Sequence, residues 1–132
     1  MTRRELPIND DGDVVRVRQL VRSVAVDARL SLVEQTKLVT AASELARNTL
    51  TYGGGGAATV EHITNGTKSG VRAIFRDKGP GIADLDLALT DGYTSGKGLG
   101  LGLGGARRLV DEFSVESSPG SGTTVTVTKW AR

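Results

Sequence analysis

The 132-residue sequence contains no cysteine and one histidine, and aromatic residues make up only 4% of it. Without cysteine the chain can form neither a disulfide framework nor a thiolate metal site, as is usual for cytoplasmic proteins. No apolar run approaches membrane-spanning length, and the opening residues, MTRRELPIND, lack the apolar core of a signal peptide. We therefore expect a cytoplasmic protein that has no membrane partner.

Neither sign of charge dominates the sequence. Seventeen Lys and Arg residues stand against fifteen Asp and Glu residues, which gives a formal net charge of +2. Such a small excess does not indicate a nucleic-acid partner. A length of 132 residues with 38% hydrophobic residues is enough for one domain with one core.

The first half of the chain carries two helix signals. Apolar residues recur at three- and four-residue steps from Val14 to Ala28, which predicts an amphipathic helix over 14–28. Ser31 is followed three residues later by Glu34, and this capping-box pattern predicts a second helix that runs to about Leu50.

The second half of the chain is mainly β-rich. ATVEHI and VRAIF, separated by Asn65-Gly66 and a polar turn, predict a hairpin. DLDLAL and ARRLVDEF predict a short and a longer helix, and FSVES and TTVTVTKW predict strands joined by SPGSG. This order of elements predicts a two-layer α/β sandwich, with helices packed on one face of a mixed, mostly antiparallel sheet.

The stretch GKGLGLGLGG, from Gly96 to Gly105, could be a linker, a Walker A phosphate loop or a dinucleotide-binding loop. Its leucines at alternate positions and the helix that follows argue against a linker. A Walker A loop requires Ser or Thr after Lys97, where this sequence has Gly98. The dinucleotide pattern matches from Gly100 to Gly105, but no apolar strand precedes it. Because glycines let backbone N–H groups approach anionic oxygens, phosphate is the expected ligand.

Two further segments supply polar groups that could accompany a phosphate loop. ELARN places Glu44 and Asn48 on one face of the second helix, where they are either a solvated stripe or ligands. Asparagine is a poor residue for a helix interior, which favours the second interpretation. Asp77 ends a strand and precedes Gly79-Pro80-Gly81, which is either a plain turn or a backbone that passes beneath a flat ligand.

Taken together, these segments resemble in order and spacing the N, G1, G2 and G3 boxes of the GHKL ATPase superfamily, which shares the Bergerat fold. The matching positions are Glu44-x-x-x-Asn48, Asp77-x-Gly79-x-Gly81, Gly98, Gly100 and Gly102, and Gly122-Thr123. Within the superfamily, ELARN, DKGPGI, GLGLGL and GTTVTVTKW are most similar to the RsbT-type serine/threonine protein kinases, which are related to the anti-sigma factor kinases RsbW and SpoIIAB. The resemblance implies one GHKL ATP-binding kinase domain of Bergerat type over 1–132.

The resemblance also implies roles for individual residues. Glu44 would be the general base for the attacking hydroxyl, or its orienter, and Asn48 would offer its carboxamide oxygen to Mg²⁺. Asp77 would accept a hydrogen bond from the adenine amino group, with Gly81 leaving room for the base. The implied ATP-binding set is Asn48, Asp77, Gly79, Gly81, Lys97, Gly98, Leu99, Gly100, Leu101, Gly102 and Thr123, in which Lys97 either approaches the terminal phosphate or is simply solvated.

The function that the resemblance implies is ATP-dependent phosphorylation of a serine or threonine on a STAS-domain scaffold or antagonist, similar to RsbS and RsbR, in a stress-signalling partner switch. The released kinase would then activate a PP2C-type phosphatase similar to RsbU. An anti-sigma factor that binds ATP and sequesters a sigma factor is the alternative. The catalytic domain of a histidine kinase is disfavoured, because the single histidine, His62, falls in a predicted strand rather than on a dimerisation helix.

Overall fold

The computed structural model describes residues 2–81, 89 and 102–132. These residues form three helices and five strands. In chain order they are β1 (Arg3–Ile8), α1 (Asp11–Asp27), α2 (Leu32–Thr51), β2 (Gly56–Asn65), β3 (Lys68–Asp77), α3 (Gly102–Arg108), β4 (Glu112–Ser117) and β5 (Thr123–Trp130). None of the helices in these ranges is long and apolar enough to cross a membrane.

The five strands form one sheet in the order β1-β2-β3-β5-β4. The predicted two-layer α/β sandwich is confirmed, but the sheet of the described residues is not mixed, because every neighbouring pair is antiparallel. Alternate residues of the central strands face the helices and are buried, as a sheet with one covered face requires. The fully buried side chains of this layer include Val60, Val71, Phe75 and Val127, and α1 and α2 contribute Val17, Val21, Leu38 and Leu45.

Strand β1 was not predicted from the sequence. RRELPI combines three charged residues with Pro7 and shows little alternation, so nothing local marks it as a strand. It pairs with β2 at the edge of the sheet, where a proline is tolerated because one side of the strand makes no ladder hydrogen bonds. Burial of Ile8 at its end, with no exposed surface, supplies the tertiary contact that the local sequence does not reveal.

Helix α1 begins at Asp11, three residues before the predicted start at Val14, because Asp10 caps it. The Asp13 backbone N–H donates to Oδ1 of Asp10 over 2.8 Å. The capping box of α2 is confirmed: the Glu34 N–H donates to the Ser31 hydroxyl at 3.2 Å and the Ser31 N–H donates to the Glu34 carboxylate at 3.0 Å. Both caps satisfy backbone donors that a helix leaves open.

The hairpin of β2 and β3 is confirmed, with strands longer than the predicted runs. Asn65 pairs with Lys68, so the connection consists of Gly66 and Thr67 alone. Gly66 has a φ of 65°, a left-handed conformation that glycine adopts without strain. The pairing continues to Gly56 and Asp77 at the other end, which brings the start of β2 beside the end of β3.

The helix predicted over ARRLVDEF was extended too far. Helix α3 ends at Arg108, and Glu112 and Phe113 lie in β4. The physical reason is the pairing with β5: the Asp111 N–H donates to the Thr128 carbonyl at 3.0 Å, and Asp111 Oδ2 accepts from the Trp130 N–H at 2.8 Å. These bonds turn the chain into the sheet despite helical apolar spacing. The helix predicted over DLDLAL lies outside the described residues except for Leu89.

Asp111 also organises a charged network between the sheet and α2. Its Oδ1 lies 3.4 Å from the buried Lys129 Nζ and 2.6 Å from an Arg132 nitrogen, and Arg132 Nε lies 3.1 Å from Glu34 Oε2. Burial raises the pKa of Asp111, but the Trp130 N–H and the two cations outweigh it and hold that pKa below its usual value. The network therefore ties the start of α2 to the end of β5.

Candidate functional site

The site is built around the Asp77 carboxylate at the end of β3. Its Oδ1 accepts hydrogen bonds from the Gly79 N–H at 2.9 Å and from the Thr123 N–H at 3.2 Å. The first bond folds the chain back after β3, and the second comes from the paired residue that begins β5. Among the described residues, no hydrogen bond to Oδ2 is found. Both of these hydrogen bonds therefore use the same oxygen, which fixes the orientation of the carboxylate.

Gly53 lies directly against this carboxylate. A Cβ atom at Gly53 would come within 2.4 Å of Asp77 Cγ and 2.5 Å of Asp77 Oδ2, and a Cβ atom at Gly79 would come within 2.7 Å of Gly53 Cα. Sequence reasoning assigned Gly53 no function. The run of four glycines from Gly53 to Gly56 was the available signal, because it marks a backbone with close neighbours.

Gly53 also connects Asp77 to the end of α2. The Asn48 carbonyl accepts hydrogen bonds from the Tyr52 N–H at 2.9 Å and the Gly53 N–H at 3.2 Å. Asn48 is half-buried, and Glu44, one helical turn earlier, is buried with 8% of its surface exposed. The fold therefore brings the last turns of α2, which carry the predicted pair of polar residues, to the same end of the molecule as Asp77.

The turn between β4 and β5 forms the other border of the site. The Ser117 hydroxyl donates to the Gly122 carbonyl at 3.0 Å and lies 2.8 Å from the Thr123 hydroxyl. Gly122 has a φ of 76°, and a Cβ atom there would lie 2.3 Å from the Asp77 carbonyl oxygen. This turn therefore packs on the backbone of Asp77 and presents Thr123 beside it. Ser117 was not predicted as part of the site.

Gly81 joins the loop after β3 to the same turn. Its φ is 78°, and a Cβ atom would lie 2.1 Å from the Ser118 carbonyl oxygen. The Gly120 N–H donates to the Pro80 carbonyl at 2.7 Å, which fixes the two loops together. The close approach at Gly81 is therefore to protein backbone, and its predicted role of leaving room for the base stays a prediction.

Most of the predicted phosphate loop lies outside the described residues. This applies to Lys97, Gly98, Leu99, Gly100 and Leu101.

The end of the predicted loop lies within the described residues. Gly102 is the first residue of α3 and has a φ of 71°. Helix α3 packs against α2, and the buried residues Leu103 and Ala106 belong to the core. The segment that ends the predicted loop is therefore anchored next to the helix that carries Glu44 and Asn48.

A shallow depression of about 510 Å³ is found at the opposite end of the sheet, lined by His62, Ile63, Thr64, Asn65, Arg72, Glu112 and Trp130. None of the predicted site residues borders it. The single histidine, His62, contacts the Ser69 hydroxyl on the neighbouring strand through a ring nitrogen. This depression therefore has no part in the predicted site.

The polar groups near Asp77 are better suited to bind a nucleotide than to bind a metal ion through protein ligands alone. Within residues 2–81, 89 and 102–132, no group of three His, Cys, Asp or Glu side chains could hold a metal ion. A Mg²⁺ ion in such a site would rely on substrate phosphates for much of its coordination, which is common for this ion. The Asp77 carboxylate, held in one orientation by the closely packed glycine backbones around it, is suited to accept a hydrogen bond from the edge of a flat polar ring.

Comparisons with known proteins agree with this architecture. The family model described as "Histidine kinase-, DNA gyrase B-, and HSP90-like ATPase" matches residues 33–132. The chain is 42% identical over 125 residues to the serine/threonine-protein kinase RsbT of Bacillus subtilis, covering 95% of this chain and 94% of that protein. It is 30% identical over 119 residues to the anti-sigma F factor of a Thermoanaerobacter species, covering 86% and 82%.

A solved structure shows the same fold. The RsbU and RsbW domains of a Mycobacterium tuberculosis protein match with a TM-score of 0.68 at 22% identity, covering 100% of this chain and 33% of that one. At this identity the likeness concerns the fold alone, and the chain spans about a third of that protein. Because the family model matches and the 42% identity extends over almost the full length of both chains, the chain belongs to the GHKL family of ATP-binding proteins and, within it, to the RsbT-type serine/threonine kinases.

Proposed function

We propose that this protein is an ATP-dependent serine/threonine kinase that phosphorylates a STAS-domain scaffold or antagonist in a bacterial partner switch. The observation that carries the proposal is the 42% identity to a serine/threonine-protein kinase over almost the full length of both chains. The 30% identity to an anti-sigma factor is lower, so sequestration of a sigma factor is the less favoured alternative. In this proposal residues 1–132 form one kinase domain, and the reaction takes place in the cytoplasm, where ATP is available.

Adenine recognition is assigned to Asp77. Its Oδ1 is occupied by the Gly79 and Thr123 N–H groups, so the carboxylate has a fixed orientation and presents Oδ2 to the 6-amino group of the base. The Thr123 hydroxyl, next to the Ser117 hydroxyl, adds a second polar contact to the base or to a water. Gly79 and Gly81 let the loop after β3 pack closely on Gly53 and Ser118, which holds this edge of the site in position for the base.

The phosphates are assigned to the end of α2 and to the glycine-rich segment. Asn48 offers its carboxamide oxygen as a ligand, and Gly98, Gly100 and Gly102 provide N–H groups for the phosphate oxygens. Lys97 contributes a positive charge close to the terminal phosphate. When bound, Mg²⁺ would neutralise part of the negative charge of the phosphates.

Glu44 is assigned to the attacking hydroxyl of the partner protein. It lies one turn before Asn48 on the same face of α2, about 6 Å along the helix axis, and is buried against the core. A carboxylate in this position accepts the proton that the serine or threonine hydroxyl loses as it attacks, or orients that hydroxyl. The two residues of the ELARN segment thus serve different steps, one binding and one proton transfer.

The partners are proposed from the same sequence similarity to RsbT. The substrates are STAS-domain proteins similar to RsbS and RsbR, and the kinase released after phosphorylation activates a PP2C-type phosphatase similar to RsbU, within a stress response. A phosphotransfer assay with labelled ATP against candidate STAS proteins tests the kinase, and a pull-down against STAS proteins and sigma factors tests the alternative. Label on a STAS protein supports the proposal, whereas capture of a sigma factor without any transfer of label rejects it in favour of the alternative.

A further inference from the structure

We infer that Gly53 is a positioning residue that sets the base specificity of the site by keeping the Asp77 carboxylate in place. The inference rests on the proposed function, in which Asp77 reads the amino group of adenine. It concerns a residue outside the predicted ATP-binding set. The evidence is the contact between Gly53 and Asp77, two residues far apart in sequence.

Gly53 is not required for its backbone conformation. Gly54 and Gly55 have φ values of 72° and 107°, in the left-handed region, but Gly53 lies outside that region. An alanine could therefore adopt the Gly53 backbone without strain. What excludes a side chain is space, because a Cβ atom would lie 2.4 Å from Asp77 Cγ and 2.5 Å from both its Cβ and Oδ2.

The Asp77 carboxylate cannot easily move away from such a Cβ atom. Its Oδ1 is held by the N–H groups of Gly79 and Thr123, and rotation of the side chain would break both bonds. The backbone of Gly53 is itself closely packed, because a Cβ atom at Gly79 would reach within 2.7 Å of Gly53 Cα, and its N–H donates to the Asn48 carbonyl. A methyl group at residue 53 must therefore displace the carboxylate from the position in which it faces the base.

The consequence is a selective loss of base recognition. The groups assigned to phosphate are the Asn48 side chain and the glycine-rich segment rather than Asp77, so a displaced Asp77 weakens the binding of nucleotides that carry a 6-amino group more than the binding of those that lack it. Inosine triphosphate is the suitable probe, because it has a 6-oxo group in place of the amino group and the same ribose and triphosphate as ATP. The ratio of the two affinities reports the carboxylate position, which a general loss of stability would not change.

The experiment compares ATP and inosine triphosphate binding, by calorimetry with Mg²⁺, in the full chain and in two variants. Gly53→Ala introduces the methyl group, and Gly54→Asn is the matched control. A Cβ atom at Gly54 meets nothing within 4 Å, and asparagine tolerates its left-handed φ. We expect the unchanged chain and Gly54→Asn to prefer ATP by about tenfold, the worth of one hydrogen bond to a charged acceptor, and Gly53→Ala to lose this preference.

The outcomes separate the inference from the proposed function. If the unchanged chain binds neither nucleotide, or binds both equally, the assignment of Asp77 to adenine fails. If it prefers ATP and Gly53→Ala prefers ATP to the same degree, the inference about Gly53 is overturned while the assignment of Asp77 stands. If Gly53→Ala does not fold, Asp77→Gly is added to it: recovery of folding supports the clash with Asp77, and continued unfolding overturns it.

Discussion

Replacement of Asp77 by asparagine exchanges one oxygen of a carboxylate whose contacts are fixed. If the amide oxygen takes the Oδ1 position, the Gly79 and Thr123 N–H groups keep their acceptor, and the amide NH₂ faces the adenine amino group. If the amide flips, its NH₂ faces the two backbone donors instead. Either orientation places donors against donors, and such a mismatch costs about 1 to 3 kcal/mol.

This cost corresponds to a loss of ATP affinity of about tenfold to a hundredfold. Loss of the carboxylate charge also weakens the two bonds to the backbone, which lowers the free energy of unfolding by about 1 kcal/mol. Calorimetric titration with ATP measures the first effect and thermal melting the second. Asp27→Asn, at the exposed end of α1, is the matched control for charge. An ATP affinity for Asp77→Asn equal to that of the control would remove Asp77 from the site.

The remaining predictions concern α2 and the charged network. Asn48→Ala is expected to abolish Mg²⁺-dependent ATP binding and turnover together, because the proposed metal ligand is lost, as titration with and without Mg²⁺ would show. Glu44→Gln is expected to keep the ATP dissociation constant within a few fold while phosphotransfer falls by about 10² to 10⁴; a binding loss as large as that of Asn48→Ala would refute the general-base assignment. Ser31→Ala, which removes one half of the capping box, is expected to lower the free energy of unfolding by about 1 kcal/mol in denaturant melts. The pKa of Asp111 is lowered on folding, so the stability that its carboxylate contributes is present above the unfolded value of 3.8 and is lost as pH falls through the folded value. Asp111→Asn is therefore expected to melt at a lower temperature at neutral pH and to approach the unchanged chain below about pH 4; a constant difference would contradict this.

Local signals predicted those elements whose causes are local. The Ser31 capping box and the Asn65-Gly66 turn are read from adjacent residues, and both are present in the structure. Strand β1 was missed because its stability comes from pairing with β2 and from burial of Ile8 rather than from its own composition. The extension of α3 failed for the same reason, because pairing with β5 overrides helical spacing beyond Arg108.

The site shows the same division. Asp77 and Asn48 were predicted from motif spacing and family resemblance, and the fold brings their two elements to one end of the molecule. Gly53 and Ser117 were missed because their importance lies in contacts with residues distant in sequence, namely Asp77 for the first and Thr123 at the start of the next strand for the second. The run of four glycines indicates a closely packed backbone, but it does not show that Gly53 lies against Asp77.

The most direct test of the account is transfer of the terminal phosphoryl group from ATP to a STAS-domain protein, with the modified residue identified by mass spectrometry. The account predicts Mg²⁺-dependent phosphorylation of a serine or threonine on the partner, and its absence with Asn48→Ala in parallel. Phosphorylation of His62 on the chain itself, or ATP binding with no transfer to any STAS protein, would contradict it.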